Sequence, residues 1–240
     1  MATAPFDLHW SLTTPETDTD GDAKTYQPSA LPTLNIPNYF LITDDYVKFR
    51  APVAGTTTAK SEKTRSELRE YTADGSAEQN WLGSGGNHSI GAALIVKDVP
   101  NTPTGKGSVF IGQIHADGGD SPLLKFKYQS VDDSTSRLIV SFRPDPDGDA
   151  SDTVVMTGVA KTARILYYAK VNSAGQLSAY YEVDGVRKTF AGDLSTWLQK
   201  VPAQKFYFKA GVYNNALPST STGADDTSEA WFYKLTTTHS

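Results

Sequence analysis

The stretch Phe206-Tyr207-Phe208-Lys209-Ala210-Gly211-Val212-Tyr213-Asn214-Asn215 alternates with a period of two. Successive side chains of a strand point to opposite faces. Phe206, Phe208, Ala210 and Val212 therefore share a face suited to a core, while Tyr207, Lys209, Gly211, Tyr213 and Asn215 share the other. Tyrosines and a lysine beside a glycine make an unusual solvent face. They resemble a sugar-binding floor, with Gly211 leaving room for something to approach the backbone.

The same period recurs on both sides of this stretch. Phe6 to Leu12, Tyr39 to Leu41, Tyr46 to Phe49, Leu94 to Val96, Val109 to Ile114 and Leu124 to Tyr128 read as strands. So do Leu138 to Phe142, Ile165 to Val171, Leu177 to Val183 and Ala230 to Leu235. Turn clusters separate them, and Asp184-Gly185 marks a tight hairpin. Only Leu194 to Gln204 reads as helix, with Asp193 or Ser195 as its cap and Pro202 as its stop. Many short strands separated by turns predict an all-β sandwich or jelly roll. No linker, repeat or composition break divides residues 1–240, so one domain is expected, with a strand at each end.

Composition narrows the chemistry. The 240 residues include no cysteine, which excludes disulfides, thiolate metal sites and a thiol nucleophile. A formal charge of −5 disfavours nucleic acid and anionic membranes as partners. No apolar run is long enough to span a bilayer. Met1 to Trp10 lacks a basic-then-apolar leader. Met1-Ala2-Thr3 fits an expression start placed on a mature secreted chain.

Two further segments carry chemistry. In Thr64-Arg65-Ser66-Glu67-Leu68-Arg69-Glu70, Arg65, Glu67 and Arg69 share a face. In Val109-Phe110-Ile111-Gly112-Gln113-Ile114-His115, an apolar strand closes with Gln113 and His115 on one face and Ile114 on the other. If these strands lie in one sheet with Phe206 to Asn215, their polar faces pool into a groove. Arg65, Arg69 and Lys209, with Lys125 and Lys127 nearby, make it cationic despite the acidic chain, which suits a carboxylate-bearing polymer.

Arg65-Ser66-Glu67-Leu68-Arg69, Gln113-Ile114-His115 and Tyr207-Phe208-Lys209-Ala210-Gly211-Val212-Tyr213-Asn214 resemble, in order and spacing, the three signature segments of polysaccharide lyase family 7, the alginate lyases. The similarity extends to the terminal strands and so spans nearly the whole chain. It implies a jelly roll of two antiparallel sheets, one concave and forming the substrate groove. The implied activity is β-elimination of 1,4-linked mannuronate and guluronate polymers, endo-acting, by a monomer with no metal or cofactor. Arg65, Gln113 and His115 would face the carboxylate at the cleaved bond. Tyr213 would protonate the leaving oxygen and, for some substrates, take the C5 proton. His115 would be the base for substrates of opposite C5 configuration. Glu67 would orient the two arginines. Arg69, Tyr207, Lys209 and Asn215 would bind neighbouring sugars. Asn215 stands where the family often has Gln, a shorter amide. Ile114 is associated in the family with guluronate, although its side chain points away from the groove.

Two rivals differ by residue type. A non-catalytic polyuronate-binding module on the same fold would need cations and aromatics but not the set Gln113, His115 and Tyr213. A glycoside hydrolase would need two carboxylates flanking the bond, and the groove faces hold only Glu67. Asp18-x-Asp20-x-Asp22 and Asp145-x-Asp147-x-Asp149 open like calcium loops but lack the closing Glu, with Ser29 and Met156 in its place. They read as polar turns. His88 reads as a residue of a glycine-rich loop and His239 as part of the tail.

Overall fold

The computed structural model describes residues 3–103, 105–119, 121–221, 223 and 226–240. Asp120 and Asp225, expected in turns, lie outside the described residues, as do Met1 and Ala2. In chain order the strands are β1 (Trp10–Thr17), β2 (Ala23–Tyr26), β3 (Phe40–Ile42), β4 (Val47–Pro52), β5 (Arg65–Glu70) and β6 (Trp81–Leu82). Next come β7 (His88–Asp98), β8 (Asn101–Thr102), β9 (Gly105–Lys106), β10 (Ser108–Ala116), β11 (Pro122–Ser130) and β12 (Thr135–Phe142). The last are β13 (Ser151–Ala160), β14 (Ile165–Val171), β15 (Gln176–Val183), β16 (Val186–Asp193), β17 (Lys205–Asn214) and β18 (Thr227–His239).

Two antiparallel sheets face each other in a jelly roll. The inner sheet has the order β13-β12-β11-β10-β17-β5-β1-β2, with β6 beside β17; the outer has β16-β15-β14-β7-β18-β4-β3. The core between them takes alternate residues of both. Phe206, Phe208, Ala210 and Val212 of β17 are fully buried against Phe49, Leu94, Ala169 and Phe232 of the outer sheet's strands. Two buried outer-sheet tyrosines reach across. Tyr167 donates to the carbonyl of Ile111 at 3.1 Å and Tyr181 to that of Ile139 at 3.1 Å. Burial raises the pKa of both phenols, so they act as fixed donors.

Most expected strands are present, and Asp184 (φ 51°) and Gly185 (φ 76°) form the hairpin turn. The differences have physical reasons. The first strand begins at Trp10; Phe6 and Leu8 pack on the core from outside it. β13 went unread because it is an exposed edge strand with no buried face to impose alternation. The helix is one short piece, Ser195–Lys200, whose first N–H is taken by the Asp193 carboxylate at 3.0 Å. His88 is not a loop residue: it opens β7, buried, and pairs with His239, the last residue of β18. The acidic turns serve local ends. Asp145 and Asp147 clamp Lys200 at 2.7 and 2.8 Å, and Asp18 accepts the N–H groups of Asp20 and Asp22.

Candidate active site

The three signature segments are neighbours: β17 lies between β10 and β5 in the inner sheet. Register sets Gln113, Lys209 and Arg69 in one cross-strand row, His115 beside Tyr207, and Tyr213 beside Arg65. Their free faces line a groove of about 700 Å³.

A bulge on β10 sets the face. Phe110 pairs with Lys127 and Gly112 with Phe126, leaving Ile111 as an extra residue. Ile111 and Gly112 then both turn toward the core, and alternation restarts with Gln113 outward. Gly112 is required there, since a Cβ would sit 2.5 Å from the Tyr167 hydroxyl. Phe110 joins the groove face, 5.8 Å from the Tyr213 ring, with the Lys125 ammonium 4.2 Å from its own ring centre. Ile114 is fully buried, away from the groove as expected.

Gly211 does make room for a close approach, but the visitor is β5, not a sugar. Its φ is 138°, and a Cβ would collide with the Ser66 carbonyl. The close contact draws β5 and β17 together beneath Arg65 and Tyr213.

Glu67 is 2% exposed and sits under the floor. It accepts from Lys209 at 2.7 Å, Arg65 at 3.3 Å and the Gln113 amide at 2.5 Å. Burial alone would raise its pKa. Lys209 and Arg65, with hydrogen bonds from Lys209 and Gln113, hold it below the usual carboxylate value. The expectation that Glu67 orients two arginines is therefore corrected: it orients Arg65, Lys209 and Gln113 and does not line the groove. Arg69 lines the groove, paired with Glu78 at 2.9 Å and Asn80 at 2.8 Å, with its guanidinium 4.0 Å above the Tyr207 ring. Asn215 also does not line the groove. β17 ends at Asn214, and the Asn215 amide is tied to Lys63 at 3.0 Å and Ser108 at 3.0 Å. Lys127 is held by Asp152 at 2.7 Å, whereas Lys125 faces the groove.

His115 donates from Nδ1 to the Ala116 carbonyl at 2.9 Å, which leaves Nε2 as the unprotonated nitrogen. Burial, then the nearby Lys209 ammonium, push its pKa down to about 4. The ring is neutral near pH 7, so it adds no positive charge to the cluster. It stacks on Tyr207, whose own pKa burial pushes up to about 12. Tyr213 lies under the Arg65 guanidinium at 4.2 Å, and its hydroxyl is 3.1 Å from Ser61 Oγ.

Ser61, Thr58 and Lys60 come from the loop between β4 and β5, and Arg143 from the end of β12. Sequence reasoning missed all four, because strand periodicity says nothing about which loop folds over a sheet. The only available signal was the density of hydroxyls and lysines just ahead of Arg65. The segment Asp117–Pro122 contributes Gly118, Gly119 and Pro122 to the groove, and Ala73–Ser89 contributes Glu78.

A jelly roll whose inner sheet carries arginines, lysines, tyrosines and a neutral imidazole free at Nε2 fits a polysaccharide lyase acting on acidic chains. A family model described as alginate lyase matches residues 6–239, and the chain belongs to that family. Its fold matches the alginate lyase PA1167 from Pseudomonas aeruginosa with a TM-score of 0.82 and 31% identity, covering 98% of this chain and 100% of that one. The alginate lyase from Klebsiella pneumoniae matches with a TM-score of 0.87, 26% identity and 99% of each chain covered. A1-II′, described as a member of polysaccharide lyase family 7, matches at 0.75 and 28%, covering 98% of this chain and 97% of that one. No curated protein matches. The chain is an alginate lyase of the family 7 type.

Proposed function

We propose that the whole chain works as one secreted, endo-acting catalytic domain, in which Arg65, Gln113, His115 and Tyr213 perform the elimination. Breaking the bond at C4 requires removal of the C5 proton, next to the carboxylate, and protonation of the departing oxygen. The electron pair of the C5–H bond becomes the C4–C5 double bond as the C4–O bond breaks. Arg65 and Gln113, both anchored by Glu67, stabilise the charge that builds on the carboxylate. Tyr213 delivers a proton to the leaving oxygen and takes the C5 proton where both lie on its side. His115 takes the proton where it lies on the opposite side. The observation that carries this reading is the His115 imidazole, tied at Nδ1 and neutral among cations, with Nε2 left to accept.

Arg69, Tyr207 and Lys209 hold the flanking sugars. The groove runs from β2 residues to Arg143, across seven strands, or roughly 29 Å at strand spacing. That length supports several sugar subsites and an endo action. Two family 7 structures of A1-II′ are described in complex with a product (GGG) and a substrate (GGMG), which supports alginate oligomers as occupants.

Incubation with alginate should give the ultraviolet absorbance of the unsaturated product and an early fall in viscosity. Tyr213→Phe should abolish turnover and keep binding, and His115→Asn should lose one of the two block substrates selectively. Near-normal turnover by Tyr213→Phe would overturn the assignment. Binding without absorbance in the native protein would instead point to a polyuronate-binding module. Short products released without viscosity loss would replace endo by exo action.

A further inference from the structure

The outer face of the outer sheet carries an aromatic platform that the cleavage reaction does not use. Trp231 of β18 stacks on Tyr46, just before β4, with centroids 4.3 Å apart and planes within 3°. Tyr46 lies 5.9 Å from Tyr233. A cation closes each end: the Lys97 ammonium is 4.5 Å from the Trp231 ring centre, and the Arg164 guanidinium 3.9 Å from that of Tyr233. The three rings are half-buried and both cations exposed. Glu229 is engaged by the Trp231 indole N–H at 2.7 Å and by Arg50 at 3.8 Å. Among the described residues, neither Lys97 nor Arg164 pairs with a carboxylate. A cavity of about 450 Å³ opens beside Tyr46, Arg164 and Tyr233, with Asp45 at its rim.

An antiparallel sheet face turned to water is ordinarily polar. Here a row of three half-buried rings presents apolar edges, and the cation at each end has no carboxylate partner among the described residues. A uronate supplies both complements, apolar C–H groups for the ring edges and a carboxylate for the cations. Acids elsewhere give the chain a charge of −5, so this cationic rail is a local feature and not a reflection of the whole. We propose that the platform of Tyr46, Trp231, Tyr233, Lys97 and Arg164 is a second binding site for the acidic polysaccharide, separate from the groove on the other sheet. The identity of the polymer rests on the lyase assignment. The site would hold the enzyme on the polymer between cleavages and raise the local concentration of chain at the groove.

The test uses the full chain carrying Tyr213→Phe, titrated calorimetrically with alginate oligosaccharides too short to reach both faces. Two classes of site are expected. Arg164→Glu, an exposed change that leaves the core intact, should remove one class, and Tyr233→Ser should do the same. In the otherwise native enzyme, Arg164→Glu should leave kcat on short oligosaccharides unchanged and lower apparent affinity for long polymer about tenfold. One class of site in the parent, or two classes surviving in Arg164→Glu, overturns the proposal. So does a dimer of the parent that Arg164→Glu splits without loss of alginate affinity. Residual ultraviolet product in the Tyr213→Phe background would count against the catalytic assignment only.

Discussion

His115 shows how one side chain is set by its surroundings. Its pKa of about 4 lies below that of an unfolded histidine, near 6.5. Between those values the unfolded chain binds a proton that the folded chain refuses. The stability present above pH 6.5 is therefore lost as pH falls toward 4. Burial holds His88 low in the same sense. His115→Gln should flatten the decline of stability with acid by about 3 kcal/mol at most, read from urea midpoints at several pH values. For the block substrate that depends on His115, kcat/KM should keep its acid limb near pH 4 rather than 6.5. Lys209→Met removes a charge that lowers this pKa, so the limb should move to higher pH. A limb that stays in place would sever the link between Lys209 and the base. At this scale the sequence was readable in part. Residue types and faces put Arg65, Gln113, His115 and Tyr213 on the groove side, where they lie. Glu67 and Asn215 were misplaced, because only the folded arrangement saturates Glu67 with donors and ties Asn215 to Lys63.

The strands were legible wherever one face is buried, since burial writes the period into the sequence. They were illegible where that rule lapses, at the exposed edge strand β13 and at the β10 bulge. The pairing of β5 with β17 depends on Gly211, whose backbone no side chain tolerates. Gly211→Ala should cost about 2–4 kcal/mol and lower turnover as well, because the strand bearing Lys209 and Tyr213 must move off β5. A urea melt alongside the absorbance assay checks both. Full activity in a destabilised variant would mean that the spacing of the two strands does not control the site.

The charge distribution belongs to the whole molecule. The chain is acidic, yet Arg65, Arg69, Lys125, Arg143 and Lys209 line one groove, while Asp18, Asp132 and Asp145 sit in turns held by local hydrogen bonds. Encounter with an acidic polymer should follow the groove's field and not the net charge. The kcat/KM on alginate should then fall several-fold as salt rises from about 0.05 to about 0.5 M. Insensitivity to salt would contradict a groove-steered encounter. The sheets also act on each other. Tyr167→Phe should cost about 1–3 kcal/mol by leaving the buried Ile111 carbonyl without its donor.

That carbonyl belongs to the residue on which the groove's identity turns. β10 behaves like a reading frame: one extra residue at Ile111 decides that everything after it is read outward at Gln113 and His115. Substitutions along the strand can be graded and selected one at a time. Straightening the strand with every residue kept cannot, because regular alternation would then send an amide and an imidazole into the core and Ile114 into the groove. Inside this segment the enzyme can change by replacement, but a change of length must keep the parity that the bulge sets.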